Sequence, residues 1–461
     1  MKTKYDKLTV KYQKDLMKSL HDFVAIDSVY DETTVSELHP FGEGVSKALN
    51  YITNLAKNDG FEVVNYDNKV VEIIYGRGEK NLTIMAHADV VPEGEGWDQN
   101  PFEMVEKKGV LYGRGVADDK GPLLSCYYAL KALRDNGDLG GYQIRFLVGG
   151  NEESGSLCME HYFKTLKKPQ PTLGFSPDSD FPLIFAEKGI INFEIETYID
   201  IPGLISIQGG LASNAVIEKC VVKHELDIKL LNLVMDKYSC KEANIETKDD
   251  VTTFTFIGLS AHGSVPEAGV NAGLMALTTL AKYNKDPNLI RLARALEPLD
   301  GSGFNCGAKS KEMGHNSSNV GLISYEEGVL KITVNFRYVD TCERQALLKQ
   351  IQSTFKPSKV KILFDTPVLY YPKDSLLIST LLKSYQDETG DLESMPLAIG
   401  GGTYAKEAEN VVAFGMQFPG WESNMHAIGE KCKKEDLFKA MSIYARAIHD
   451  LGKKLKDEDQ I

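Results

Sequence analysis

The chain has little that would tie it to a membrane, an oxidising compartment or a polyanion. No apolar run approaches the length of a bilayer span. The N-terminal lysines are followed by Leu8, Val10, Leu16 and Leu20 interleaved with charges as far as Asp22, the pattern of an amphipathic helix and not of a secretion signal. A cytoplasmic protein with no membrane partner is therefore expected. Cysteine is sparse: the seven at 126, 158, 220, 240, 306, 342 and 432 are odd in number and never spaced Cys-x-x-Cys. Neither a disulfide framework nor thiolate-bound zinc is expected from them, so any metal must be held by histidine and carboxylate. Basic residues are outnumbered 52 to 65, and the net charge of −13 argues against nucleic acid and anionic membranes as partners. It leaves small substrates open, because a basic pocket can sit on an acidic protein. Low-complexity linkers and sharp internal repeats are missing too. A chain of 461 residues exceeds one ordinary core, so two domains are expected.

What the sequence does have is concentrated between Leu82 and Gly121. Leu82 to Ala86 is apolar enough for a buried strand, and it runs into His87 and, one residue beyond Ala88, Asp89. On an extended backbone those two side chains point the same way. That is the geometry of a metal-bound imidazole whose other ring nitrogen is held by a carboxylate. Gly113-Arg114-Gly115 then leads to Asp118-Asp119 at the mouth of a helix, where neighbouring carboxylates repel unless a cation sits between them. A phosphate loop is excluded: the Gly-x-x-x-x-Gly-Lys-[Ser/Thr] spacing is absent and both aspartates would repel phosphate. Taken alone, His87 and Asp89 also read as an ordinary loop pair. Residues further along weigh against that.

Strands expected at 61–66, 70–75, 82–86, 143–148 and 172–176 alternate with helices at 41–56, 122–136 and 157–168. Such alternation predicts an α/β fold, a catalytic domain with a mixed, largely parallel sheet flanked by helices. From about Ile190 the pattern becomes that of a half-exposed antiparallel sheet. Helices at 225–238, 270–283 and 344–355 and strands at 251–257, 329–338 and 360–364 make two strand-helix-strand sets, expected to form an inserted α+β domain. The α/β alternation returns at Asp374 and ends in a helix from Lys434 to about Leu455, with a fraying acidic tail. The expected boundaries are 1–187 and 370–461 for the catalytic domain and 188–369 for the insertion.

His87, Glu152, Glu153 and Asp178 each fall just beyond the C-terminal end of an expected strand, where open α/β sheets place their ligands. With Asp118 and His426 added, His87, Asp118, Glu153, Asp178 and His426 offer five nitrogen or oxygen ligands from five loops. One zinc takes about four ligands, so five and a water fit two metals sharing a bridging carboxylate. Two ions roughly 3.5–4 Å apart can polarise a carbonyl and stabilise a tetrahedral oxyanion. Glu152, beside a ligand yet able to face the attacking water, is the candidate general base. The plainer reading of Glu152-Glu153 is a solvated acidic turn.

The motifs Met-Ala-His-Ala-Asp-Val-Val-Pro (85–92), Gly-Trp-Asp-Gln-Asn-Pro-Phe (96–102), Gly-Arg-Gly-Val-Ala-Asp-Asp-Lys-Gly-Pro (113–122), Gly-Asn-Glu-Glu-Ser-Gly (150–155) and Ser-Pro-Asp (176–178) resemble one family. It is the dinuclear-zinc exopeptidase family of aminoacylase, carnosinase and glutamate carboxypeptidase. Within it, the bacterial PepV-type dipeptidases are the most similar. The resemblance implies that His87 and Asp178 bind one zinc, Glu153 and His426 the other, and Asp118 both, with manganese or cobalt as substitutes. Asp89 would orient His87, and Glu152 would act as base and then acid. The family's bridging aspartate precedes a cis peptide, which places one at Asp118-Asp119. The insertion resembles the family's lid. There His262, in Ser-Ala-His-Gly (260–263), would reach the scissile carbonyl, Arg337, in Asn-Phe-Arg-Tyr (335–338), would grip the substrate carboxylate, and Asn214 would lie on a lid loop. Gly401 belongs to the matching Gly-Gly-Gly-Thr turn (400–403). Without the family, His262 reads as a loop histidine, Arg337 as a surface charge and Gly401 as a tight turn. The implied activity is hydrolysis of dipeptides with free amino and carboxyl ends. The implied assembly is a monomer, the long lid standing in for a dimer partner. An N-acyl amino acid deacylase, or an inactive metal-binding protein, is the alternative.

Overall fold

A computed structural model describes residues 2–457, and the chain folds as two compact units. The first takes the chain up to Phe185, then Tyr371–Leu397 and from Thr403 onward; the second comprises Ala186–Tyr370 and Ala398–Gly402. The acidic tail beyond Asp457 lies outside the described residues. No helix among the described residues is long and apolar enough to cross a membrane.

The first unit is built on a six-stranded mixed sheet in the order Glu62–Tyr66, Val70–Tyr75, Gln143–Gly149, Asn81–His87, Leu173–Ser176, Val411–Ala413. Its first two pairings are antiparallel; the last four strands are mutually parallel. Parallel strands are covered on both faces, which is why Asn81–His87 is buried along its whole length, with no alternation of buried and exposed positions. The helices Lys120–Asp135 and Lys434–Asp457 pack on each other and on that strand, while Glu43–Asn58 covers the antiparallel edge. Two details differ from the sequence expectation. The helix expected at 157–168 is α-helical only over Leu157–Glu160 and widens to a π turn over His161–Thr165, where Leu166 N donates to His161 O at 2.9 Å. A small antiparallel sheet of Val105–Lys107, Val110–Tyr112 and Lys431–Lys433 was not foreseen, since three residues are too few to show a period. It pairs Lys431 with Tyr112 and so brings the loop after His426 beside the Gly113 turn.

The second unit is an eight-stranded antiparallel sheet in the order Ala243–Lys248, Val251–Ile257, Lys219–Glu225, Leu204–Gly209, Ser317–Glu326, Val329–Tyr338, Gly189–Tyr198, Lys359–Thr366. Gly189–Tyr198 alternates buried and half-buried positions, and Ile191, Phe193 and Ile195 join a core completed by helices such as Ala272–Asn284 and Pro287–Leu296. The stretch Ala398–Gly402, distant in sequence, is held here by Lys188 N donating to Ile399 O at 3.1 Å.

Candidate active site

All six candidate metal-ligand and base residues come together in the first unit, at the C-terminal ends of its parallel strands. His87 closes its strand; Glu152 and Glu153 follow Gln143–Gly149 and Asp178 follows Leu173–Ser176. Asp118 arrives on the turn before the helix Lys120–Asp135, immediately preceding a cis Asp118–Asp119 peptide, and His426 arrives on a loop with φ of 60°. Asp118 divides its carboxylate between the two histidines. Its Oδ1 lies 3.1 Å from His87 Nε2, and its Oδ2 lies 2.8 Å from His426 Nε2. Each imidazole has a second acid: Asp178 Oδ2 is 3.6 Å from His87 Nε2, and Glu153 Oε2 is 3.2 Å from His426 Nε2. Donor atoms of His87, Glu152 and Asp178 also lie within 4.8 Å of one another, as do those of His87, Asp118 and Glu153.

Asp89 holds this cluster in a way the sequence does not show. His87 Nδ1 donates to the backbone carbonyl of Asp89 at 2.9 Å, and the Asp89 carboxylate stands back at 3.5 Å. That carboxylate accepts instead from the amides of Glu152 and Glu153, each at 3.1 Å. One buried residue therefore sets both the imidazole tautomer and the acidic turn.

The donor set fits a divalent cation. A carbonyl can only accept, so Nδ1 carries the ring proton of neutral His87, and its Nε2 lone pair then faces two carboxylate oxygens. Acceptor against acceptor is stable only with a positive charge between them. Glu153 Oε1 is buried with no hydrogen-bond partner. The protonation equilibria report the same demand. Burial works to lower the His87 pKa, but Asp118, Asp178 and Asp89 hold it well above its ordinary value. His426 is pushed up to about 11 by its bonds to Asp118 and Glu153, against burial. Burial, with Asp178, Glu153 and Asp118 adding to it and His87 opposing, raises Glu152 well above the usual carboxylate range. Glu153 rises to about 7 from burial and the Asp118 charge, against the pull of His426. These shifts share one physical origin, buried acids crowded around two imidazoles, a crowding that a cation would relieve. Imidazole and carboxylate suit zinc, manganese or cobalt.

Two supporting residues, Glu430 and Tyr404, were not singled out from sequence, and Arg114 was named there only as part of its glycine turn. Glu430, four residues after His426, is fully buried and accepts from Gly115 N at 3.0 Å, Ala117 N at 2.8 Å and Asp118 N at 3.2 Å. It pairs with buried Arg114 Nη1 at 2.8 Å, and Arg114 Nη2 reaches Ala427 O at 3.3 Å. This pair fastens the Asp118 turn to the His426 loop. Gly115 has φ of 90°, and a β-carbon there would lie 3.0 Å from the Lys120 side chain, so the turn needs glycine. Tyr404 sets its ring edge-on to His87 at 5.9 Å, with its hydroxyl 2.9 Å from Cys158 Sγ. Lone residues such as these carry no local signal.

The remaining candidates, Asn214, His262, Arg337 and Gly401, lie in the second unit. Asn214 and His262 are exposed, whereas Arg337 is 3% exposed. Arg337 Nε donates to Asn335 Oδ1 at 2.9 Å and Nη1 to the Gly400 carbonyl. No carboxylate among the described residues pairs with it, and burial pulls its pKa down to about 10.

Known proteins are similar to this chain along nearly its whole length. "Putative dipeptidase YtjP" of Bacillus subtilis (strain 168) is 32% identical over 96% of this chain and 98% of its own length. A "putative dipeptidase" of Staphylococcus aureus (strain USA300) is 34% identical over 95% of this chain and 97% of its own. Among solved structures, human carnosine dipeptidase 1 superposes with a TM-score of 0.59 at 15% identity, covering 98% of both chains. The M20 family metallo-carboxypeptidase Sso-CP2 from Sulfolobus solfataricus does so at 0.60 and 17%, covering 95% of this chain and 99% of its own. These two likenesses speak to the fold alone. Residues 83–450 match the model of peptidase family M20/M25/M40. With strand ends, donor set and full-length relatives all pointing one way, the chain belongs to that family and is a metal-dependent peptidase.

Proposed function

We propose that this peptidase is a dipeptidase acting on substrates with free amino and carboxyl ends at a dinuclear centre. His87 and Asp178 would hold one ion, Glu153 and His426 the other, with Asp118 shared; zinc is the proposed metal, and manganese or cobalt suit the same donors. The division of Asp118 between two imidazoles, each with its own second acid, supports that assignment. When bound, such ions supply electrophilic polarisation of the scissile carbonyl. The residues do the rest. Glu152 takes the proton of the attacking water and returns it to the leaving amine. His262 donates a hydrogen bond to the carbonyl oxygen as charge develops there, and the exposed Asn214 and the Gly401 turn add polar contacts to the substrate.

The observation that carries the dipeptide reading is Arg337, a buried guanidinium without a carboxylate partner among the described residues. A charge taken out of water without compensation is costly, so an anionic group is expected to meet it, and a planar fork matches a carboxylate. Losing such an anchor costs about 2–5 kcal/mol. Arg337→Met is expected to lower kcat/KM for free dipeptides by about a hundredfold or more while barely altering the weak hydrolysis of amidated dipeptides. Equal losses on both would give Arg337 a structural role instead. A panel of dipeptides, tripeptides and N-acyl amino acids, assayed with zinc, manganese and cobalt in turn, separates the dipeptidase from a deacylase.

A further inference from the structure

A closed circuit of contacts in the second unit runs through Asn214, His262 and Arg337 and through Gly400, the chain neighbour of Gly401. Asn335, two residues before Arg337 on Val329–Tyr338, shares its face of the sheet and accepts from Arg337 Nε. Across the sheet Asn335 stands in register with Asn319 on one side and Asn192 on the other, so three asparagines form a row over three strands. Asn335 Nδ2 donates to Asn192 Oδ1 at 2.5 Å, and Asn192 Nδ2 to Ser213 Oγ at 3.4 Å. From the other end, Asn319 Nδ2 donates to Ser213 O at 3.1 Å and Ala215 O at 2.9 Å. The turn bearing Asn214 is therefore gripped by both ends of the row. It rests on bare backbone, since a β-carbon at Gly321 would lie 2.2 Å from Ser213 O.

The circuit then returns to Arg337. Asn214 O accepts from Gly263 N at 2.7 Å, Ala215 bridges to His262, and His262 Nδ1 lies 2.6 Å from Ser264 Oγ. Ser264 packs so closely on Gly400 that a β-carbon there would be 2.6 Å away, and the Gly400 carbonyl accepts from Arg337 Nη1. Asn335 and Asn319 are 2% and 1% exposed. Replacing a buried hydrogen-bonded pair by apolar groups is often nearly neutral for stability, so folding alone does not call for amides here. What amides add is orientation.

We propose that Asn192 and Asn335 are positioning residues for the carboxylate end of the substrate, fixing the plane of the Arg337 guanidinium and locking it to the turn that bears Asn214. This rests on the reading of Arg337 as the carboxylate anchor. The test compares Asn192→Ala, Asn335→Leu, Arg337→Met and the double variant Asn335→Leu/Arg337→Met on free and amidated dipeptides, with metal content and Tm recorded. Each asparagine variant is expected to raise KM for the free dipeptide about tenfold, with kcat and amidated-dipeptide turnover changed less than about twofold. Once Arg337 is gone, removing Asn335 should add nothing. Equal losses on both substrates, or full additivity with Arg337→Met, would overturn the proposal. If Arg337→Met is selective and the asparagine variants are not, the proposal fails and the anchor reading stands. If Arg337→Met is itself unselective, the anchor reading falls and this one with it. Asn192 is only half-buried, so Asn192→Ala decides the matter even if Asn335→Leu does not fold.

Discussion

Glu152 and Glu153 are chain neighbours held by the same carboxylate, yet their surroundings divide them. Glu153 reaches His426 at 3.2 Å, while Glu152 lies among His87 and Asp178 within metal-ligand reach. Proximity alone therefore leaves Glu152 two roles, ligand or base, and one substitution separates them. With Glu152→Ala, turnover is expected to fall about a hundredfold or more, because general-base catalysis contributes on that scale. Metal content should stay at the wild-type level. Loss of an ion from the purified variant would make Glu152 a ligand and leave the base to be found elsewhere.

Between elements, the important connection is the Arg114–Glu430 pair. The turn that delivers Asp118 and the loop that delivers His426 are far apart in sequence, and neither has regular structure of its own. Glu430 joins them by accepting hydrogen bonds from three backbone amides and by one buried ion pair, and the short pairing of Lys431 with Tyr112 continues the seam. Glu430→Gln keeps the shape but loses an acceptor and leaves Arg114 buried without its counter-charge, a strongly unfavourable change. Outer supports of metal ligands typically matter by about 10–100-fold in affinity. Competition with a chelator should show metal retention weakened by that much in Glu430→Gln. Unchanged affinity would mean that the glycine turn holds Asp118 by itself.

At the scale of the whole molecule, the second unit bears on assembly. Its sheet consists of two four-stranded halves joined where Leu204–Gly209 pairs with Ser317–Glu326, Gln208 opposite Ser324. Standing alone, the half that ends on Ser317–Glu326 would offer an open edge to a second chain. Here the chain covers that edge itself, and the outermost strands carry Glu246 and Lys248 on one side and Lys359, Lys361 and Asp365 on the other. Charged edges discourage strand addition. We therefore expect a monomer. Sedimentation velocity at about micromolar concentration should give one species of 51.1 kDa. A stable dimer paired through either outer strand would overturn this.

The sequence by itself determined the α/β class and which residues to examine, because every candidate ligand but His426 ends a contiguous signal. A buried apolar strand terminates at His87, a glycine turn at Asp118, and further strands run out just before Glu152-Glu153 and Asp178. Such signals are local, and local physics is legible in a window of a few residues. Tertiary structure alone decided how the groups share their work. Asp89 offers its carbonyl to His87 and its carboxylate to two amides, a division that depends on where the 152–153 turn crosses it. Glu430 and Arg114 meet across most of the chain. The asparagine row exists only because Asn192, Asn335 and Asn319 fall into register. Period-two alternation states which face a residue takes, never which residue stands opposite it; that choice is made by bulges and by packing, when the strands are brought together.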